Sequence, residues 1–248
     1  MAVGGRGGER SDPMPDTGEL TATSPAVARG SPGSERPLFG WVVLLLGLLS
    51  GLAYCSWPLG SVVNPALASS GLASDLGSHG QPYSWLFSLL DCVTGAATVL
   101  ASGLLLARRR DGDRPPPVAL AAYALFGLLT AVDSLLPIGC GESDLTGCGA
   151  DLSRPNVDDV LTGLAVFALF VAALSALRRA AAAGPPPTLL IGGALVLAWS
   201  GTGLVFLANH FSTRPAVTLQ HLFLTLSSVL SFAVPALLVA ARRARSPG

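Results

Sequence analysis

Leu104-Leu105-Leu106-Ala107-Arg108-Arg109-Arg110-Asp111-Gly112-Asp113-Arg114-Pro115-Pro116-Pro117-Val118 is the stretch whose reading decides the fold. A long apolar run ends in consecutive arginines, a short charged spacer follows, and a proline triplet opens the next apolar run. Proline cannot continue a helix but suits a first turn, where its missing amide would have had no partner. The device recurs at Arg178-Arg179 and Pro185-Pro186-Pro187. Working outward from these joints, six apolar stretches separate: Leu38–Trp57, Tyr83–Ala107, Val118–Ile138, Val157–Leu177, Pro187–Ala208 and Val217–Ala241. A hydrocarbon core about 30 Å thick takes roughly 20 residues of helix to cross, and each stretch meets that length. With 50% of the 248 residues hydrophobic and 12% charged, too little polar surface remains for a soluble bundle. The reading is all-α: a polytopic membrane helix bundle with six transmembrane helices.

Basic and acidic residues number 15 each, so net charge is zero. Every basic residue is an arginine, and all but Arg154 and Arg214 lie in the tails or in the gaps after the second and fourth stretches. The positive-inside rule then places both termini in the cytoplasm and the protein in the plasma membrane. Residues 1–36, rich in Gly, Ser, Pro, Asp and Glu, read as a disordered cytoplasmic tail. That tail is too long and too acidic for the start of a secretory signal. Residues 37–242 form the six-span domain, and 243–248 a short basic tail. The absence of lysine, with abundant Ala, Gly, Pro and Arg, points to a high-GC and actinobacterial source. The arginine runs sit at helix ends and read as topology signals; no phosphate-cradling glycine motif or basic groove suggests nucleic acid as a partner.

Acids and histidines avoid the half of each stretch that the arginines flank. Asp91 lies about 12 Å in from the outer end of its span, and Asp133 roughly 8 Å in, at helical rise. Asp158 and Asp159 open the fourth span, His221 stands in the second turn of the sixth, and Asn209 follows the outer end of the fifth. A carboxylate in hydrocarbon costs about 2.5–3.5 kcal/mol on insertion scales, so Asp91 is expected to face the bundle interior. Ser84, Ser88, Asp91, Thr94, Thr98 and Ser102 make one helical stripe, which Thr218, His221, Thr225, Ser228 and Ser231 repeat in span six. With Thr130, Asp133 and Ser134, these stripes predict a polar seam shared by spans two, three and six. The bland account of the hydroxyls is interhelical hydrogen bonding, and that of Asp158 and Asp159 is the helix macrodipole. Asp91 has the weakest such account.

Cys140 and Cys148 share an outer loop and are a disulfide candidate; Cys55 and Cys92 read as packing residues. Asn64-Pro65 offers a cap and a first helical proline, predicting an interfacial helix over Pro65–Leu76 that stops at Gly77. Gly47 and Gly51, like Ala97 and Ala101, carry the small-residue spacing of close helix contacts. Pro235 predicts a kink in span six.

Gly60-Ser61-Val62-Val63-Asn64-Pro65, Ala73-Ser74-Asp75-Leu76-Gly77 and Gly80-Gln81-Pro82-Tyr83-Ser84-Trp85-Leu86-Phe87 through Asp91 resemble a bacterial multi-span family catalogued as domain of unknown function 998. The resemblance implies an Asn-Pro element, a Ser-Glu-Leu-Gly-like element before the second span, an acid inside that span and paired outer-loop cysteines. Asp75 stands where the family pattern has Glu, and Asn156-Val157-Asp158-Asp159 where it has histidines.

The first functional reading is a non-enzymatic membrane protein whose outward-facing pocket binds a lipid-like or small polar ligand or an accessory partner. Its candidate residues are Asp91, Asp133, His221, Asp158, Asp159, Asn209 and Asp75. The alternatives are an intramembrane hydrolase or transferase acting on an outer-leaflet lipid, and a proton-coupled transporter. A single in-span histidine makes a poor metal set, so neither metal nor cofactor is expected; oligomeric state is not legible. The topology has a direct check, with the four native cysteines replaced by serine. Gly112→Cys and Ser246→Cys are expected to resist an impermeant maleimide on intact cells, and Ser143→Cys to react. The opposite pattern would invert the orientation.

Overall fold

Prolines, an asparagine cap and a left-handed turn set where several of the helices begin. The computed structural model describes residues 35–70, 73–78, 80–108, 116–136, 157–183, 186–210 and 217–245. Among them the secondary structure is helical throughout: α1 Glu35–Tyr54, α2 Trp57–Val63, α3 Pro65–Ser70, a 3-10 turn Ala73–Gly77, α4 Ser84–Ala107, α5 Pro117–Leu135, α6 Val157–Ala181, α7 Pro186–His210 and α8 Val217–Arg245. Prolines open α3, α5 and α7 as their sequence positions suggest. Asn64 caps α3, its Oδ1 accepting from the Leu67 amide at 3.4 Å. Before α4 the chain turns through Gly80 at φ 87° and Tyr83 at φ 62°, a left-handed conformation that favours glycine at the first position.

Several boundaries differ from the sequence reading: α6 runs on through Arg178 and Arg179 to Ala181, and α8 through Arg242 and Arg243 to Arg245. The first stretch is not one straight span: α1 ends at Tyr54, and α2 leaves it at 46° across Cys55–Ser56. Pro58, second in α2, cannot donate an amide back across that break. The interfacial segment is also shorter than the expected Pro65–Leu76 helix, with α3 stopping at Ser70 and a 3-10 turn carrying Asp75. Finally, α7 runs through Asn209 and His210 rather than ending before them.

Four helices, α4, α5, α6 and α8, are long and apolar enough to cross a membrane, and five spans result if the bent α1–α2 pair counts as one. Within the 25-residue α7, Leu190–Val205 forms a shorter apolar helical stretch. Apolar side chains point outward as well as inward: Trp41, Leu45, Leu48 and Leu52 on α1 and Leu190, Leu197 and Leu204 on α7 are exposed. An exterior of this kind suits lipid rather than water, because the helices satisfy their own backbone groups. The described helices thus make a membrane protein.

Side chains inside are chosen for close approach. The α6 face carries Ala165, Ala168, Ala172 and Ala176, all buried against the bundle. Gly95 and Gly127 bring α4 and α5 together; a methyl on Gly127 would land on the Thr98 hydroxyl and lie 2.8 Å from the Gly95 carbonyl. Gly47 and Gly51 face α8, where a methyl on Gly51 would sit 2.7 Å from the Ser228 carbonyl and one on Gly47 2.6 Å from Pro235 Cγ. The small-residue pairs therefore act within one chain. Tyr123, Phe126, Leu105, Leu169, Leu230 and Leu238 fill the space between.

Gly127→Ala is expected to lower thermal stability in detergent, with overpacking of about 1–3 kcal/mol exceeding a helix-propensity gain of about 1 kcal/mol. Gly103→Ala, which meets nothing within 4 Å, should leave the melting temperature unchanged or raise it. Equal responses would contradict the tight α4–α5 contact.

Candidate functional site

The in-span acids come from the ends of α4 and α5 that lie away from the arginines. Asp91 is in the second turn of α4, about 25 Å along the helix axis from Arg108. Asp133 is in the last turn of α5. Both line one cavity of about 150 Å³. Ser88 joins from the turn above Asp91, Thr130 and Ser134 flank Asp133, and Thr162 of α6 and Gln220 of α8 close the sides. Three- and four-residue spacing on each helix is what turns these groups onto one face. Among the described residues that line it, the charged side chains are Asp91 and Asp133, and the other polar groups are hydroxyls and the Gln220 amide.

Contacts within the cavity hold the acids in place. Thr162 Oγ1 donates to Asp133 Oδ2 at 2.9 Å. Ser134 Oγ donates to the Ala131 carbonyl at 2.8 Å and lies 3.1 Å from Cys92 Sγ. Tyr54, at the end of α1, lines the same wall and meets Phe126 edge-on at 5.4 Å. Its phenol is within electrostatic reach of both Asp91 and Asp133. The α1 break thus places Tyr54 on the wall of the cavity that the acids line.

The segment from α2 to the 3-10 turn forms a cap beside the cavity. Leu76 is buried at 1% exposure beneath Gly60, where any Cβ would clash with it. The Ala73 amide donates to Gln220 Oε1 at 2.6 Å, and Asn64 Nδ2 donates to Gln81 Oε1 at 3.0 Å. Ala73 and Gly77 contribute wall to the cavity; Asp75, buried between them, does not. The Asp75 carbonyl accepts from Ser78 Oγ at 2.6 Å, tightening the turn.

Beneath the acids the hydroxyl stripes pair with each other and with their own helices. Ser50 Oγ and Ser231 Oγ are 2.7 Å apart, Thr94 donates to the Ser50 carbonyl at 3.3 Å, and Tyr123 donates to the Ser231 carbonyl at 2.7 Å. Thr98, Thr130, Ser227 and Ser228 bond to carbonyls one turn back. The seam expected from spans two, three and six therefore exists, but α1 supplies Ser50 to it. These hydroxyls are satisfied by bonds across helix contacts and to carbonyls of their own helices.

His221 goes elsewhere. It stacks on Trp57 at 4.2 Å and 8° between planes, while Trp57 Nε1 donates to Thr225 Oγ1 at 3.2 Å. It is not part of the cavity lining, which α8 reaches through Gln220 and Leu224 instead. Asp158 and Asp159 lie in the first turn of α6, and Asn209 in the last turn of α7, with side chains outside the described parts. Cys140 and Cys148 lie outside the described residues; Cys55 and Cys92 are free thiols. Among the described residues no group of three or more His, Cys, Asp and Glu is placed to hold a metal ion.

Tyr54, Thr162 and Gln220 were not singled out in the sequence. Thr162 could have been reached from Asp158, four residues earlier, and Gln220 from the need of any in-span amide for a partner. Nothing in the pattern distinguishes Tyr54 from an interfacial aromatic.

Residues 48–147 match the model of a family described as protein of unknown function (DUF998), a match that supports membership in that family. The matched part carries Tyr54, the cap, Asp91 and Asp133, while Thr162 and Gln220 lie beyond it. No curated protein and no solved structure matches the chain.

Gln220→Leu removes the acceptor of the Ala73 amide and is expected to destabilise by about 1 kcal/mol. Amide exchange at Ala73 should rise with it, measured by hydrogen–deuterium exchange in micelles. Unchanged protection at Ala73 would show that the cap is held by other contacts.

Proposed function

We propose that this is a six-span plasma-membrane protein with both termini cytoplasmic, whose outward-facing acidic pocket binds a small polar ligand or the headgroup of a lipid. The observation that carries this reading is the shared cavity of Asp91 and Asp133. Two carboxylates at membrane depth are expensive, and neither stripe of hydroxyls beneath them requires an acid. A cavity of about 150 Å³ has room for roughly five waters at about 30 Å³ each. Whole drug-sized ligands need about 300 Å³ or more, so a headgroup fits and an acyl chain stays in the bilayer.

Charge sets the ligand class. The described lining offers carboxylates, hydroxyls, the Gln220 amide and the faces of Tyr54 and Phe87. A small ammonium or amine group satisfies such a wall through charge-assisted hydrogen bonds and cation–π contact. The bonded hydroxyls of the floor support binding rather than passage, and the arrangement supports a non-enzymatic role.

The test is binding by purified full-length protein in nanodiscs. Choline and ethanolamine are expected to stabilise the protein thermally beyond sodium at equal ionic strength. Asp91→Asn and Asp133→Asn should each weaken the response about tenfold, equivalent to roughly 1.4 kcal/mol. Both substitutions keep side-chain volume, so folding is retained. Wild-type binding in both variants, or no response to either amine, would contradict the reading.

A further inference from the structure

The cap beside the cavity has the parts of a hinged lid. Its pieces hold to each other: Leu76 of the 3-10 turn lies buried beneath Gly60 of α2, so closely that no Cβ fits there. Asn64, which ends α2, bonds to Gln81 at 3.0 Å. Both ends of this unit are places where the chain changes direction. At one, α2 leaves α1 at 46° across Cys55–Ser56, and Pro58 has no amide to carry the helix through. At the other, Gly80 and Tyr83 take φ 87° and 62°. A tyrosine is strained in that conformation, and such strain persists only where the surroundings hold it.

Contacts with α8 fasten the unit over the cavity. Trp57, the first residue of α2, stacks on His221 at 4.2 Å with 8° between planes, and its Nε1 donates to Thr225 Oγ1 at 3.2 Å. The Ala73 amide, at the start of the 3-10 turn, donates to Gln220 Oε1 at 2.6 Å. Gln220 and His221 are neighbours, so α2 and the 3-10 turn are fastened at the same turn of α8. Ser56, Ala73 and Gly77 are themselves wall of the cavity that Asp91 and Asp133 line. Lifting the unit from α8 removes that wall and leaves the walls from α4, α5 and α6 in place. The Trp57 and His221 side chains are only half-buried, so parting them does not open the deep core, while Leu76 moves with α2.

We propose that α2 and the 3-10 turn form a lid that admits a ligand to the Asp91–Asp133 cavity. The lid turns about Cys55–Ser56 and Gly80–Tyr83 and is latched to α8 by the Trp57–His221 stack and the Ala73–Gln220 bond. The proposal rests on the reading of the cavity as a binding site, but the motion itself is measured without a ligand. Hinge closure of this kind completes a site when shut and sets the rate of exchange through its opening. His221, which does not line the cavity, thereby acts on access to it rather than on the ligand.

The test uses full-length protein in nanodiscs, with the four native cysteines replaced by serine and Ser134→Cys as the reporter on the cavity wall. An uncharged methanethiosulfonate reaches both faces of the disc, so the result does not depend on orientation. His221→Ala, which removes the stack, is expected to raise the modification rate at position 134 about fivefold, in line with the loss of one aromatic pair. Gly103→Ala should leave the rate unchanged. Hydrogen exchange should rise in α2 with His221→Ala while α4 and α5 keep their protection, which separates lid opening from unfolding. Choline should dissociate faster from His221→Ala by a similar factor. An unchanged rate at position 134, or a rise accompanied by lost protection throughout α4 and α5, would overturn the lid. A raised rate at position 134 with no choline binding in wild type would support the lid and overturn the binding reading alone.

Discussion

Hydrocarbon cannot hydrate a charge, and the rest of this molecule is arranged around that constraint. Arginines collect where the apolar helices end, and the in-span acids stand near the opposite ends of α4 and α5. Between them the polar groups are hydroxyls that bond to carbonyls one turn away or across a helix contact. Such hydroxyls leave nothing charged in the middle of the bundle and still hold its helices together. The glycine and alanine contacts follow from the same constraint. Without a hydrophobic drive between helices in lipid, association rests on close packing and interhelical hydrogen bonds.

Charge separation gives the two ends different chemistry. At one, cations rest on an aromatic ring beside exposed apolar side chains. At the other, Asp91 and Asp133 share a cavity bordered by a cap. The α1 break links cap to cavity: it places Tyr54 on the cavity wall on one side and starts α2 on the other. Gln220 ties the cap to α8 through the Ala73 amide. The family match ends before α6, so the acids and cap belong to the matched part while two side walls come from elsewhere in the chain.

Helix identity and most helix ends were legible because they depend on local rules. The proline triplets open α5 and α7, and the Asn64 cap opens α3. The break after Tyr54 was not legible, since Cys55-Ser56-Trp57-Pro58 is apolar enough to continue a span and only Pro58 hints otherwise. Asp91 and Asp133 could be placed from sequence at similar depth and on a seam shared by spans two and three, but the part of α6 and of the cap in their cavity could not. The stripe on span six misled in one respect. His221 and Thr225 belong to the row that meets Trp57, while Gln220 and Leu224, one position earlier, meet the cavity. A rotation of about 100° between neighbouring helix positions separates the two, and only tertiary packing decides which row faces inward.

The central claim is that the Asp91–Asp133 cavity is acidic and reached from outside the membrane. Its most direct measurement is the modification rate of Ser134→Cys, with native cysteines replaced, by charged methanethiosulfonates added to intact cells. The account predicts reaction from outside, with a positively charged reagent faster than a negatively charged one of similar size, and a smaller ratio when Asp133 is changed to Asn. Reaction only from the cytoplasmic side, or equal rates for both charges, would contradict it.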